Sequence, residues 1–194
     1  KPGGASNVAQ NLSALGMDVS LLGITGDDPE LRELIKVMRH TNIKFDPVKD
    51  LSVRTTLKCR IIGNDQHLMR LDHEDKNKSN MHDSLLKKII KYSRHTDLIV
   101  LSDYDKGVIK PIANEVIDHA KKNNIKVIID PKGVDYSMYM GAYLVKPNEH
   151  EFDYFLDRKG KAALHRGSVH SFEEIPALDD QGFDSHNQDR SRYN

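Results

Sequence analysis

Leu98-Ile99-Val100-Leu101-Ser102-Asp103 and, one helix's length later, Val127-Ile128-Ile129-Asp130 decide the fold of this chain. Each is a short run of apolar side chains without a polar face, which predicts a strand buried on both sides, and each ends on a carboxylate. Between them Ile112, Val116, Ile117 and Ala120 fall on one helical stripe. Strand, helix and strand in that order predict a parallel sheet covered on both faces. The pattern extends outward in both directions: Leu85, Leu86, Ile89 and Ile90 predict a helix before the first strand, and Ala142 to Val145 a third apolar strand after the second.

Nearer the start, Val8, Leu12 and Leu15 recur at helical spacing, Gly16 stops that helix, and Val19 to Leu22 predict a strand ending at Gly23. Asp27-Asp28-Pro29 then reads as the cap of a helix with Leu31, Leu34, Ile35 and Met38 on one face, closing near Thr41-Asn42. From Lys44 to Asp72 the periodicity changes. Leu57, Cys59 and Ile61 alternate with Thr56, Lys58 and Arg60, and a turn stands at Gly63-Asn64-Asp65-Gln66, which predicts a hairpin with one apolar and one polar face. A charged stretch to Asn80 reads as solvated loop. Residues 158–194 carry scattered apolar side chains with neither period and read as a poorly ordered tail.

At 194 residues the chain is long enough for a real core without metal or disulfide staples. Its 29 basic and 29 acidic residues cancel, which removes the global electrostatic argument for a nucleic-acid or anionic-membrane partner. The single cysteine, Cys59, cannot form an intrachain disulfide; it reads as a small packed side chain in a reducing, cytoplasmic setting. No apolar run approaches the roughly 20 residues that span a bilayer. The ten histidines show no His-x-x-x-His or Cys-x-x-Cys spacing and read as surface residues, not metal ligands.

Ligands of open α/β sheets bind at the carboxyl ends of the strands. The three predicted strands end in Ser102-Asp103-Tyr104-Asp105-Lys106-Gly107, Asp130-Pro131-Lys132-Gly133 and Lys146-Pro147-Asn148-Glu149-His150-Glu151, each with a carboxylate or amide beside a lysine. Carboxylates hold hydrated magnesium and lysines neutralise phosphate, the demands of phosphoryl transfer. A fourth feature stands at the start, Pro2-Gly3-Gly4-Ala5-Ser6-Asn7-Val8-Ala9. Glycines admit close backbone approach and an amide serves hydroxyls, so this loop suits a polyol; a tight turn with Asn7 in the first helical turn is the structural alternative. Asn148 and Glu151 share one face of a helix start, and their spacing equally fits a capping box.

The opening octapeptide, with Leu15-Gly16 and Gly23-Ile24-Thr25-Gly26-Asp27-Asp28, resembles the first signature of the ribokinase-like (PfkB) carbohydrate kinases, and Lys146-Pro147-Asn148-Glu149-His150-Glu151 resembles their Pro-Asn-x-x-Glu element. Gln66 to Asp72, Leu101 to Gly107 and Asp130 to Gly133 look most like the kinase domains of bifunctional heptose 7-phosphate kinase/heptose 1-phosphate adenylyltransferases. The resemblance runs over residues 1–157 and implies a three-layer α/β/α sandwich, present as a partial domain, with a β lid inserted at about 44–72 and the divergent tail at 158–194.

It further implies ATP-dependent phosphorylation of the anomeric hydroxyl of D-glycero-β-D-manno-heptose 7-phosphate, a step of lipopolysaccharide core synthesis. Gly3, Gly4, Asn7 and Asp103 would then meet the sugar, and Arg60 and Arg70 its 7-phosphate, although solvent exposure explains the arginines equally well. Lys106, Lys132, Asn148 and Glu151 would serve the ATP phosphates, with Glu151 acting indirectly on magnesium; solvated turn charge is the alternative for Asp103, Lys106 and Lys132. The expected partners are a sugar phosphate, ATP and a second copy joined through the lid. The family's Gly-Ala-Gly-Asp element, which carries the catalytic base, occurs nowhere among the 194 residues, and neither does the Gly-Asp start of its first strand. The resemblance therefore also implies a kinase domain cut at both ends, which alone turns over no ATP.

Overall fold

A computed structural model describes residues 2–64, 66–73, 79–133 and 135–153. The elements in chain order are α1 (Ala5–Ala14), β1 (Val19–Leu21), β2 (Ile24–Thr25), α2 (Pro29–Met38), β3 (Ile43–Phe45), β4 (Val48–Lys49), β5 (Leu57–Gly63), β6 (Gln66–His73), α3 (His82–Ser93), β7 (Leu98–Ser102), α4 (Ala113–Lys122), β8 (Lys126–Asp130) and β9 (Leu144–Val145). Residues 149–153 are helical.

The two apolar runs form the middle of the fold. β7 pairs parallel with β8 over five residues, and β8 with β9. α4 lays Ala113, Val116, Ile117 and Ala120 into the core at the spacing read from the sequence, against Val127 and Ile129 of β8, Leu101 of β7 and Leu85 and Ile89 of α3. Burying the valine, leucine and isoleucine side chains among these contributes about 1.5–3 kcal/mol each before entropy is counted, so this cluster dominates stability. β9 is shorter than the expected strand: Ala142 is buried but lies before it.

The amino-terminal half adds a second parallel pair. β1 runs beside β3 and β2 beside β4, and the amides of Val48 and Asp50 donate to the carbonyls of Gly23 and Thr25, so the four short strands form one ribbon. Its interruption falls at Pro47, which has no N–H to give the ladder. Lys88 of α3 fastens that break, donating to Asp46 Oδ1 at 2.8 Å and to the carbonyls of Asp46 and Pro47, while the Tyr92 hydroxyl donates to Asp46 Oδ2. α2 begins as expected, with Asp28 at the N-cap accepting from the Leu31 amide and Pro29 at the first helical position.

Three expectations change. The lid does not begin near residue 44: Ile43 and Val48 are buried in parallel strands, and the antiparallel hairpin starts at Leu57. The hairpin keeps one apolar and one charged side, with Cys59 opposite Leu71 and Ile61 opposite Met69, but every residue of β6 and all of β5 except Gly63 are exposed. Cys59 is accordingly exposed and not packed. Leu15 lies just past the end of α1 and is 75% exposed, so the apolar stripe of that helix is shorter than the sequence spacing implied. The tail expected over 158–194 lies outside the described residues. No helix among the described residues is long and apolar enough to cross a membrane.

Candidate functional site

Because β7, β8 and β9 are parallel and in register, with Ser102 opposite Asp130 and Ile129 opposite Val145, their carboxyl ends lie along one edge. The loop after β7 is tightly held there. Asp103 is buried, its amide donates to the Asp130 carbonyl, one carboxylate oxygen accepts from the Asp105 amide at 2.7 Å, and the other accepts from the hydroxyl of Tyr139. Burial, then the bond to Asp103, pushes the Tyr139 hydroxyl pKa well above its usual value, so it remains a donor at neutral pH. Asp103, expected at the sugar, thus has both carboxylate oxygens committed to the protein and holds the shape of the loop.

Asp105 has a left-handed φ of 56° and pairs with Lys110 at 2.6 Å, while the Gly107 carbonyl lies 2.8 Å from His82 Nε2. The Asp105 bond, ahead of the charges of Asp103 and Asp135, raises the Lys110 pKa. Lys106 is half-buried in this loop.

The amino-terminal glycine loop reaches the same place. Gly4 is the N-cap of α1 at φ 54° and ψ −135°, backbone that strongly favours glycine, and Asn7 is exposed in the first helical turn. The space a Cβ would take at Gly4 lies 3.5 Å from the ring of Tyr104. At Gly3 nothing stands within 4 Å, so only the second glycine is demanded by backbone conformation.

The ends of β8 and β9 meet through Tyr136, whose hydroxyl lies 3.1 Å from the Gly133 carbonyl and 3.4 Å from that of Glu151. Burial, then the Glu151 charge, pushes the Tyr136 pKa up to about 12. Asn148 and Glu151 form a reciprocal capping box: the Glu151 amide donates to Asn148 Oδ1 at 2.8 Å and the Asn148 amide to Glu151 Oε2 at 3.0 Å. Asn148 and Lys132 are exposed, so capping leaves them open to a solvent-side ligand. No cluster of three His, Cys, Asp or Glu fit to hold a metal occurs among the described residues. A single carboxylate such as Glu151 could serve only a magnesium ion that keeps most of its ligands as water and phosphate oxygen, the usual habit of that ion.

Arg60 and Arg70 face each other across the lid ladder, on its charged side, where Arg70 pairs with Asp72 at 3.0 Å and Lys58 with the same carboxylate at 3.2 Å. No hydrogen bond or ion pair among the described residues ties either arginine to the Gly3–Asn7 loop or to the strand ends. The lid root instead borders a cavity of about 270 Å³ lined by Asp28, Glu30, Arg54, Thr55, Leu57 and His73. Asp28 closes one side: its Oδ2 accepts from the Thr55 amide at 2.7 Å, tying the start of α2 to the lid stem.

Tyr104, Tyr136, Tyr139 and Lys110 are the residues sequence reasoning missed. Tyr104 stands inside the quoted Ser102 to Gly107 motif, where the carboxylates and the lysine carry the reading and the ring has no assigned role. Tyr139 meets its partner across 36 residues from a stretch with neither helical nor strand period, so no local pattern marks it.

The profile of the pfkB family carbohydrate kinases matches residues 1–176. The chain belongs to this family. The match continues past Asp157, where the motif resemblance ends. Among curated relatives, the bifunctional protein HldE of Sulfurimonas denitrificans is 43% identical over 157 residues, covering 77% of this chain and 32% of its own length. That of Coxiella burnetii is 37% identical over 186 residues, covering 90% and 38%. This PfkB chain thus spans about a third of the length of those relatives. Among solved structures, the tetrameric inhibited form of phosphofructokinase-2 from Escherichia coli matches with a TM-score of 0.62 at 20% identity, over 81% of this chain and 53% of that one. Adenosine kinase of Anopheles gambiae matches with a TM-score of 0.63 at 11% identity, over 83% and 52%. Both likenesses concern the fold, and they agree with a ribokinase-like α/β domain represented in part.

Proposed function

We propose that this chain supplies the sugar-binding part and lid of an ATP-dependent kinase that phosphorylates D-glycero-β-D-manno-heptose 7-phosphate at its anomeric hydroxyl, in the cytoplasm, for lipopolysaccharide core synthesis. The observation that carries the reading is the meeting of the Gly4 loop with the loop after β7 through Tyr104, which brings the family's sugar-loop motif to the carboxyl edge of the parallel sheet. Identity of 43% to a bifunctional HldE supports the choice of sugar.

In this reading Gly3, Gly4 and Asn7 receive sugar hydroxyls, Asn7 through an exposed amide that can both donate and accept. Asp103 orders the loop after β7, and Arg60 and Arg70 offer guanidinium forks to the 7-phosphate from the lid. Lys106, Lys132 and Asn148 serve the nucleotide phosphates, with Glu151 reaching magnesium through its water shell; when bound, that ion would neutralise charge on the transferring phosphoryl group. A second copy would pair through the apolar lid side of Leu57, Cys59, Ile61, Met69 and Leu71.

The base that takes the anomeric proton is not supplied by a Gly-Ala-Gly-Asp element among these 194 residues. Loss of the base and its anion hole removes factors of about 10² to 10⁴ and 10² to 10³ in rate. The polypeptide by itself is thus a sugar-phosphate binder without turnover. The test is paired: calorimetric titration with heptose 7-phosphate, and ADP release with ATP and magnesium. Binding without ADP release is expected. Substantial heptose-dependent ADP release contradicts the assignment of the missing base, and equal or tighter binding of another sugar phosphate reassigns the substrate.

A further inference from the structure

Tyr104 combines three properties that are hard to explain by packing alone. The residue is 43% exposed, its ring lies near Gly4, and the loop that carries it is stiffened on both sides. Asp103 before it is fixed by Tyr139, by the Asp105 amide and by its own amide bond to Asp130. Asp105 after it is locked by Lys110, and Gly107 by His82. Three ring atoms, Cε2, Cδ2 and Cζ, approach the position a Gly4 Cβ would occupy to within 3.5–3.8 Å. One edge of the ring therefore faces the Cα side of Gly4, one van der Waals shell away from where a Cβ would stand, beside the Gly3–Asn7 loop. An exposed aromatic between bonded neighbours, one of them the buried Asp103, is an ordered surface, and ordering it costs a ligand little.

We propose that Tyr104 is a wall and specificity determinant of the sugar pocket. Its ring covers an apolar C–H face of the bound sugar phosphate, and its hydroxyl meets a sugar hydroxyl or a bridging water. The role follows from the side chain's apolar body and polar tip, which match a sugar's C–H face and hydroxyl rim. Gly4 itself is required by its backbone conformation and not by the ring, since a Cβ there would meet Tyr104 at ordinary van der Waals distance. The inference rests on the sugar-kinase reading above.

The test uses the full chain and its Tyr104→Ala, Tyr104→Leu and Tyr104→Phe variants, titrated calorimetrically with heptose 7-phosphate and with fructose 6-phosphate. Urea unfolding of each variant is recorded alongside. Loss of a stacked ring weakens binding about tenfold or more in the alanine variant, and leucine, which restores bulk without a flat ring, recovers only part of it. Phenylalanine loses about threefold to tenfold through the hydroxyl. Unfolding midpoints stay close to that of the parent, because the ring is exposed. If the parent binds heptose 7-phosphate and the alanine variant binds it equally well, the role of Tyr104 is overturned while the sugar-kinase reading stands. If the parent binds neither sugar phosphate, both fall.

Discussion

The fully buried hydroxyl of Tyr139 donates to the carboxylate of Asp103, joining a short helical turn before β9 to the end of β7. Removing the donor leaves a buried carboxylate short of a partner at the edge where the site is built. Tyr139→Phe is expected to lower stability by about 1–3 kcal/mol, read by urea unfolding. An unchanged midpoint would mean that the bond does not hold the loop.

The glycine pair separates cleanly. Gly4 at φ 54° should lose about 1–3 kcal/mol on replacement by alanine, whereas Gly3→Ala, with open space around it, should be neutral within about 0.5 kcal/mol. Equal effects at the two positions would contradict the assigned backbone.

Acid should weaken the fold at its stems. Bonds from Ser52, then Ser79, hold the Asp50 pKa below its usual 3.8, and the Lys88 bond does the same for Asp46 against the opposing effect of burial. For Asp28 burial pushes upward, but the bonds from Thr55 and Leu31 outweigh it and the net shift is downward. A carboxylate with a lowered folded pKa contributes stability that is complete above 3.8 and is lost as pH falls through the folded value. The urea midpoint should therefore be flat from about pH 7 to about pH 5 with respect to these groups and drop below about pH 4. Asp50→Asn should flatten that drop.

The lid gives a fourth expectation. Ile61 and Leu71 are 41% and 43% exposed, on the side that carries Cys59 and Met69. If this face pairs with a second copy, Ile61→Asp with Leu71→Asp abolishes the dimer in sedimentation velocity without shifting the unfolding midpoint of the monomer. A parent chain that is monomeric at high concentration removes the dimer proposal.

Much of this architecture was legible because periodicity reports burial. The stripe of α4, the unbroken apolar runs of β7 and β8 and the Asp28-Pro29 helix start each reflect a local rule, and each stands where it was expected. Gly4, Asn7 and the strand-end loops were legible as motifs. What escaped was non-local. Tyr139 and Tyr136 act across sequence gaps that no period spans, and Ile43 and Val48 joined a parallel ribbon because their partners lie upstream in β1 and β2. The capping box at Asn148 and Glu151 shows the converse: one spacing served both a structural and a ligand reading, and the structure displays the structural one.

The most direct test of the central claim is calorimetric titration of the 194-residue chain with D-glycero-β-D-manno-heptose 7-phosphate, beside the Asn7→Ala variant. Saturable binding by the parent, weakened about tenfold by Asn7→Ala and accompanied by no ADP release in the presence of ATP and magnesium, is the predicted result. No heat of binding at millimolar ligand, or binding indifferent to Asn7, would contradict the assignment of the amino-terminal loop to the sugar.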